Sequence, residues 1–310
     1  MVAAMVEIRP CRDETDELRS LEIFNAVWPL DAVGVDEVRS FKEQVLAWSD
    51  ELAWVAGEAV GSAFTAVRRE RPDLALVLLT VAVGARRRGV GSALYRSASA
   101  WAAGRGLPRM ETIVEEEDED SLAFAERRGF VEHERNRRVV LDLQELDPPP
   151  VDAPDGIEIV TWAERPQLAQ DLYEIYMEAA VDIPGQEDDE LPSYENWLQH
   201  SMAGAGDRPE AVFVAVADGS AVGYAKFSLH TARPTVAFHD LTGVRRAWRG
   251  RGIAGALKRR QIEWAKAQGY EALQTENELR NEPIRRLNER LGYRPVPGRI
   301  FLVGPLATDG

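Results

Sequence analysis

Arg249-Gly250-Arg251-Gly252-Ile253-Ala254-Gly255-Ala256-Leu257 matches Arg86-Arg87-Arg88-Gly89-Val90-Gly91-Ser92-Ala93-Leu94, 163 positions earlier. Trp101 and Trp264 keep the same separation, as do Gly106 and Gly269. So do Glu126-Arg127-Arg128-Gly129-Phe130 and Glu289-Arg290-Leu291-Gly292-Tyr293. Four separated landmarks in one register mark a duplicated domain. The 310 residues suit two domains of ordinary size. Between the repeats runs DLQELDPPPVDAPDG, from Asp142 to Gly156. Prolines leave sheet ladders and stiffen an extended chain. The expected division is therefore 1–145, a linker over 146–156, and 157–310.

Each half has the same coarse pattern. A first strand (Val6–Arg12; Ile157–Trp162) precedes two helices (near Glu14–Val27 and Asp36–Trp48; near Pro166–Ala180 and Glu190–Met202). Strands follow at Leu52–Ala56, Ala59–Val67 and Leu74–Val83, then at Ala211–Ala217, Ala221–Leu229 and Thr235–Val244. Gly57-Glu58 and Asp218-Gly219 suit hairpin turns. A helix then opens at the Gly-rich segment. The fold class expected is α+β, two tandem copies, each a mostly antiparallel sheet flanked by helices.

Composition narrows the function. Thirty-seven basic against 52 acidic residues give a net charge of −15, which opposes general nucleic-acid binding and is compatible with a cationic substrate. Cys11 is the single cysteine, so no intramolecular disulfide forms. The four histidines are scattered without metal-ligand spacing. No signal-peptide pattern opens the chain, and no apolar run reaches the roughly 18–20 residues of a membrane span. A soluble cytoplasmic protein without a membrane partner is expected.

In both halves a strand enters an Arg-x-x-Gly-x-Gly/Ala turn that opens an amphipathic helix. A helix start carries unpaired N–H groups and about half a unit of positive charge. Small residues admit a ligand to the backbone, and arginines add formal charge, so the turn suits a diphosphate. It is not a Walker A loop, which ends in Gly-Lys-Ser/Thr. It also lacks the third glycine and the strand–helix–strand setting of a dinucleotide fingerprint.

On these residues the chain resembles the GNAT acetyltransferase superfamily. Val244 to Ala254 is similar to its acetyl-CoA pyrophosphate motif. Thr275-Glu276-Asn277, Asn281, Pro283, Asn288 and Leu291-Gly292-Tyr293 are similar to its cofactor-side helix. Val81, Val83, Arg86, Arg87, Arg88, Gly89, Val90, Gly91 and Ser92 carry the first motif in the N-terminal half. The resemblance implies an acetyl-CoA-dependent N-acetyltransferase acting on a small amine by direct transfer in a ternary complex. The alternative is a non-catalytic acetyl-CoA sensor or scaffold built from decayed copies. It further implies that the strand entering the turn parts from the next strand, leaving N–H groups near Thr242, Gly243 and Val244 for the thioester carbonyl. Arg249, Gly250, Arg251, Gly252, Ile253, Ala254, Asn277, Asn281 and Asn288 would hold acetyl-CoA.

The C-terminal copy is the expected catalyst. At the constant separation, His239 and Asp240 replace Leu76 and Val77. Strand alternation sets Asp240 on one face with Thr242 and Val244. Asp240 is the first candidate for general base, then His239, then Glu276. Asn277, Asn281 and Asn288 have Val114, Asp118 and Ala125 as counterparts, and Asp118 lies in the acidic run from Glu115 to Asp120. Asn288 stands where many family members have a tyrosine that protonates the leaving thiolate. Cys11, far upstream of either motif, is no nucleophile. Trp162, Tyr173, Tyr176, Tyr194 and Trp197 lie on or beside the first helices of the second half, which the resemblance makes a wall of the acceptor site; the acidic run Asp182–Glu190 would then be a rim facing a cationic amine. Trp101 and Trp264 read as core.

Overall fold

The computed structural model describes residues 5–183, 190–278 and 281–307. The strands are β1 (Val6–Pro10), β2 (Ala47–Val55), β3 (Glu58–Val67), β4 (Ala75–Val81), β5 (Arg109–Glu115), β6 (Val131–Asp142), β7 (Glu158–Thr161), β8 (Val212–Ala217), β9 (Ser220–Leu229), β10 (Val236–Val244), β11 (Ala272–Glu278) and β12 (Arg294–Pro305). The helices are α1 (Glu14–Val27), α2 (Val35–Gln44), α3 (Val90–Ala103), α4 (Glu119–Glu126), α5 (Ala169–Ala180), α6 (Tyr194–Ser201), α7 (Ile253–Ala267) and α8 (Glu282–Arg290).

Two units result, and their boundary corrects the contiguous division at 145 and 157. The first comprises the chain up to Arg135 together with the residues from Arg299; the second is Asn136–Gly298. In the first, the sheet runs β1-β2-β3-β4-β5 and ends on residues 299–305 of β12, which pair with Glu115–Arg109. In the second it runs β7-β8-β9-β10-β11 and ends on residues 136–142 of β6, which pair with Glu278–Ala272. The two topologies are the same, with the last strand exchanged. No local signal marks the exchange, because β6 and β12 are equally long. The segment 146–156 is no free spacer either. Lys266 Nζ donates to the Leu146 carbonyl, Arg259 donates to the Asp152 carbonyl at 3.1 Å, and Leu146 packs on the core of the second unit.

Local chemistry accounts for the smaller differences. The hairpin turns centre on Ala56-Gly57 (φ 52° and 86°) and Asp218-Gly219 (φ 50° and 83°), so Ala56 takes the left-handed place that Asp218 fills in the second unit. The helix expected up to Trp48 ends at Gln44, because Val45 is extended and Ala47–Val55 pairs along β3. In each unit one helix covers one face of the sheet. Tyr95 and Ala98 of α3 pack on Val77, Met110 and Val114, and Leu94 packs on Ala53 and Ala63; Leu257 and Ile262 of α7 pack on Phe227, Ala237 and Leu273. On the opposite face of the second unit, α5 and α6 bury Leu172, Ile175 and Trp197 against Val214 and Tyr224.

Candidate active site

The site begins where two parallel strands separate. β10 pairs with β11 only from Val236 to Phe238, and β4 with β5 only from Ala75 to Val77. Beyond those points the strands part, as expected. What differs is the other edge. β4 pairs with β3 in unbroken register, whereas β10 shifts against β9 between His239 and Thr242. Asp240 and Leu241 there stand opposite the single residue Lys226. This is a β-bulge, which leaves the extra residue's backbone out of the ladder and re-aims side chains.

The bulge corrects two expectations. Positions from β8 to the start of the bulge are related to the first unit by 162, not 163, so the counterpart of His239 is Val77 rather than Leu76. It also breaks the alternation that was to put Asp240 on one face with Thr242 and Val244. Val244 packs into the α7-side core, while Asp240 bonds Lys226, whose ammonium also donates to the Ser201 carbonyl of α6. At Gly243 a Cβ would lie 3.1 Å from Ile175 Cγ2 and 3.2 Å from Ala179 Cβ, so only glycine lets α5 approach β10 this closely.

Asp240 is 45% exposed at its side chain and bonded to Lys226 Nζ at 2.7 Å, with Ser228 Oγ donating at 3.3 Å. Lys226 is 4% exposed and also meets Asp207 at 2.7 Å. Burial acts to raise the Asp240 pKa, but the Lys226 ammonium and its hydrogen bond outweigh that and hold it below the usual carboxylate range. The other two base candidates are placed elsewhere. His239 is 2% exposed on the α7 side, its ring 4.7 Å from Phe227 and its Nε2 bonded to the Tyr293 hydroxyl. Burial first, then the Lys258 ammonium, keep that imidazole far below the ordinary histidine range. Glu276 is buried in an ion pair with Arg138 at 3.0 Å. Neither is open to an acceptor, so both leave the set of bases.

The glycine turn follows β10 and opens α7. Gly252 caps α7 at φ 84° and Gly250 lies at φ 76°, and neither has neighbours that crowd an approaching ligand. Arg249 Nε donates to the Val244 carbonyl at 3.0 Å and fixes the turn to the strand end. Its Nη1 meets Asp182 at 2.7 Å, which Arg246 shares at 2.9 Å. Those two arginines hold the Asp182 carboxyl below its ordinary range. In the first unit Arg87 occupies the place of Gly250 at φ 62°, a strained conformation for a residue with a Cβ, and Gly89 caps α3 at φ 84°. Arg86 and Arg87 there meet Asp118 at 3.4 Å and Asp120 at 3.3 Å.

Asn288 donates to Asn277 at 2.8 Å, and both line a cleft with Arg137, Arg285, Glu289 and Tyr293. The buried Asn288 Oδ1 has no partner, which fits an amide-bearing ligand beside it. Asn281 stands at the N-cap of α8 without a capping bond. Trp197 is fully buried and Tyr173, Tyr176 and Tyr194 surround it, so these rings are core rather than an open wall. Residues 184–189 of the expected acidic rim lie outside the described residues. Cys11 is half-buried, and burial together with Asp50 pushes its thiol up, out of nucleophilic range. Among the described residues no group of three His, Cys, Asp or Glu could hold a metal, and no helix is long and apolar enough to cross a membrane.

Sequence reading missed Lys226, Asp207, Lys258, Gln261 and Tyr293 as partners of the β10 residues. A lone lysine in the apolar run Ala221–Leu229 was the available signal. In the first unit it missed a buried Glu111 held by Arg68 at 2.5 Å and His133 at 2.9 Å, three residues with no local spacing to connect them.

The model of the acetyltransferase (GNAT) family matches residues 15–130 and 169–293. A GCN5-related N-acetyltransferase from Sphaerobacter thermophilus is 21% identical, with 98% of this chain and 97% of that one covered and a TM-score of 0.75. A tandem GNAT protein from the clavulanic acid biosynthesis pathway is 23% identical, with 99% and 100% covered and a TM-score of 0.79. At these identities the likeness is one of fold. No curated protein matches the chain. With both copies matched and the paired turns and parting strands in place, the chain belongs to the GNAT acetyltransferase family.

Proposed function

We propose that the second unit transfers an acetyl group from acetyl-CoA to a primary amine of a small cationic molecule, with both substrates bound together. Acetyl-CoA supplies the acetyl group as an activated thioester. Gly250, Gly252, the first N–H groups of α7, Arg249 and Arg251 would hold its diphosphate. Asn277 and Asn288 would hold the amide-bearing arm. Unpaired N–H groups near Thr242, Gly243 and Val244 would face the carbonyl oxygen, where each such donor contributes roughly 3–4 kcal/mol.

Asp240 is the proton acceptor, directly or through a water. Lys226 keeps it ionised, so it attracts an ammonium and receives a proton as the amine attacks. The same lysine weakens it as a base, so turnover rises toward alkaline pH, where the amine itself is deprotonated. Asn288 does not titrate, and a thiol pKa of about 8.5 lets the thiolate depart without an acid. The observation that supports this reading most is the bulge with an exposed carboxylate in β10, which β4 lacks. Thiol release from acetyl-CoA should depend on an added amine. The absence of amine-dependent release across a panel of small mono- and diamines would overturn the proposal.

A further inference from the structure

The second unit keeps a polar cluster beneath the bulge that the site chemistry above does not use. His239, Lys258, Gln261 and Tyr293 are 2%, 1%, 0% and 4% exposed. The Tyr293 hydroxyl meets His239 Nε2, and Lys258 Nζ lies 5.6 Å from the Tyr293 ring centroid. His239 and the Gln261 amide are buried beside one another, and neither His239 Nδ1 nor the amide atoms complete a hydrogen bond of ordinary geometry. Lys258 makes no ion pair among the described residues, and burial pushes its pKa down to about 7.

Polar groups buried this incompletely cost stability, and the repeat provides a direct comparison. The counterparts in the first unit are Val77, Tyr95, Ala98 and Phe130, members of one apolar core. Lys226, on the other face of the bulge, has Phe64 as its counterpart. The fold therefore does not need these polar residues. They accompany the bulge, which the first unit lacks.

Their placement says what they do. His239 is the last residue before the register shift and Asp240 the first within it. Tyr293 ties His239 down toward α7, and Lys226 ties Asp240 on the opposite face. Tyr293 also lines the cleft with Asn277 and Asn288. We propose that His239, Tyr293, Lys258 and Gln261 are positioning residues, a clamp that fixes the β10 bulge at the parting of β10 from β11 and so aims its backbone N–H groups at the reacting carbonyl. This rests on the acetyl-transfer reading above.

The first unit's own residues supply the test. The variant His239→Val, Lys258→Tyr, Gln261→Ala, Tyr293→Phe is compared with the parent and with Tyr293→Phe alone, each as the full chain. The four-fold variant should melt no lower than the parent and keep its KM for acetyl-CoA. Its kcat should fall at least about 10-fold, and Tyr293→Phe should fall in the same direction with KM unmoved. If the four-fold variant does not fold, Tyr293→Phe carries the test alone. A kcat within about two-fold of the parent overturns the clamp. If the parent acetylates no amine, the acetyl-transfer reading has failed, and hydrogen exchange at the Leu241, Thr242 and Gly243 amides decides the clamp separately. Faster exchange in Tyr293→Phe supports it, and unchanged exchange overturns it.

Discussion

The ammonium of Lys226 lies 2.7 Å from the carboxylate of Asp240 and the same distance from Asp207. One buried cation thus serves two carboxylates, one inside the fold and one on its open face. Burial opposes the charge on Lys226, but the two acids more than compensate and keep it protonated. Asp240 is therefore an anion of fixed position, set within the register shift of the strand that leads into the glycine turn.

Asp240→Asn should lower turnover by roughly 100-fold, the range of a lost general base, with acetyl-CoA affinity unchanged. Steady-state kinetics and calorimetry measure the two quantities. Parental activity would remove Asp240 from the chemistry.

Lys258 gives stability a pH dependence of known sign. Its folded value of about 7 lies below the ordinary lysine value of 10.5. Stability linked to it is fully present above the ordinary value and is lost as pH falls through about 7, because the folded state must then bury the charge. His239, Gln261 and Tyr293 face it and supply no counter-charge. The melting temperature should rise from pH 7 toward 10, and Lys258→Met should flatten that rise and stabilise the protein at pH 7 by a few kcal/mol. Thermal melts across this range check it.

In the first unit Asp118 and Asp120 neutralise the turn arginines that a diphosphate would use. Asp118 also caps α4 through Ser121. Asparagine preserves such a cap, so Asp118→Asn with Asp120→Asn should leave folding intact and tighten CoA binding at this unit by roughly five-fold. Calorimetry in a Gly252→Glu background isolates the site. Unchanged or weaker binding would show that the acids do not compete.

Removing residues 299–310 should unfold the first unit. Ile300 and Leu302 are each 1% exposed, and the deletion strips the partner of β5. Their burial is worth about 3–6 kcal/mol together, comparable to the whole stability of a marginal domain. Loss of one of two unfolding transitions in calorimetry is the expected result; two retained transitions would contradict the exchanged strand.

Much of this was legible beforehand. The repeated glycine turn carries its own geometry, because left-handed backbone at Gly89 and Gly252 is what such spacing requires. The bounds of α1, Glu14–Val27, and the central strands were legible in the residue pattern. The bulge was not legible. One inserted residue between His239 and Thr242 leaves every downstream landmark at 163, so the shift hides in a strand that looks regular. His239 and Glu276 looked available because their partners, Tyr293 and Arg138, are 54 and 138 positions away. The exchanged strands escaped notice for a related reason: pairing choice is made by distant edges, not by local pattern.

The most direct measurement is amine-dependent thiol release by Gly252→Glu beside Gly89→Glu. A carboxylate at either αL cap repels a diphosphate and strains the turn. With catalysis in the second unit, Gly252→Glu abolishes release while Gly89→Glu retains it. Activity that survives Gly252→Glu and disappears in Gly89→Glu would contradict the account and move the reaction to the first unit.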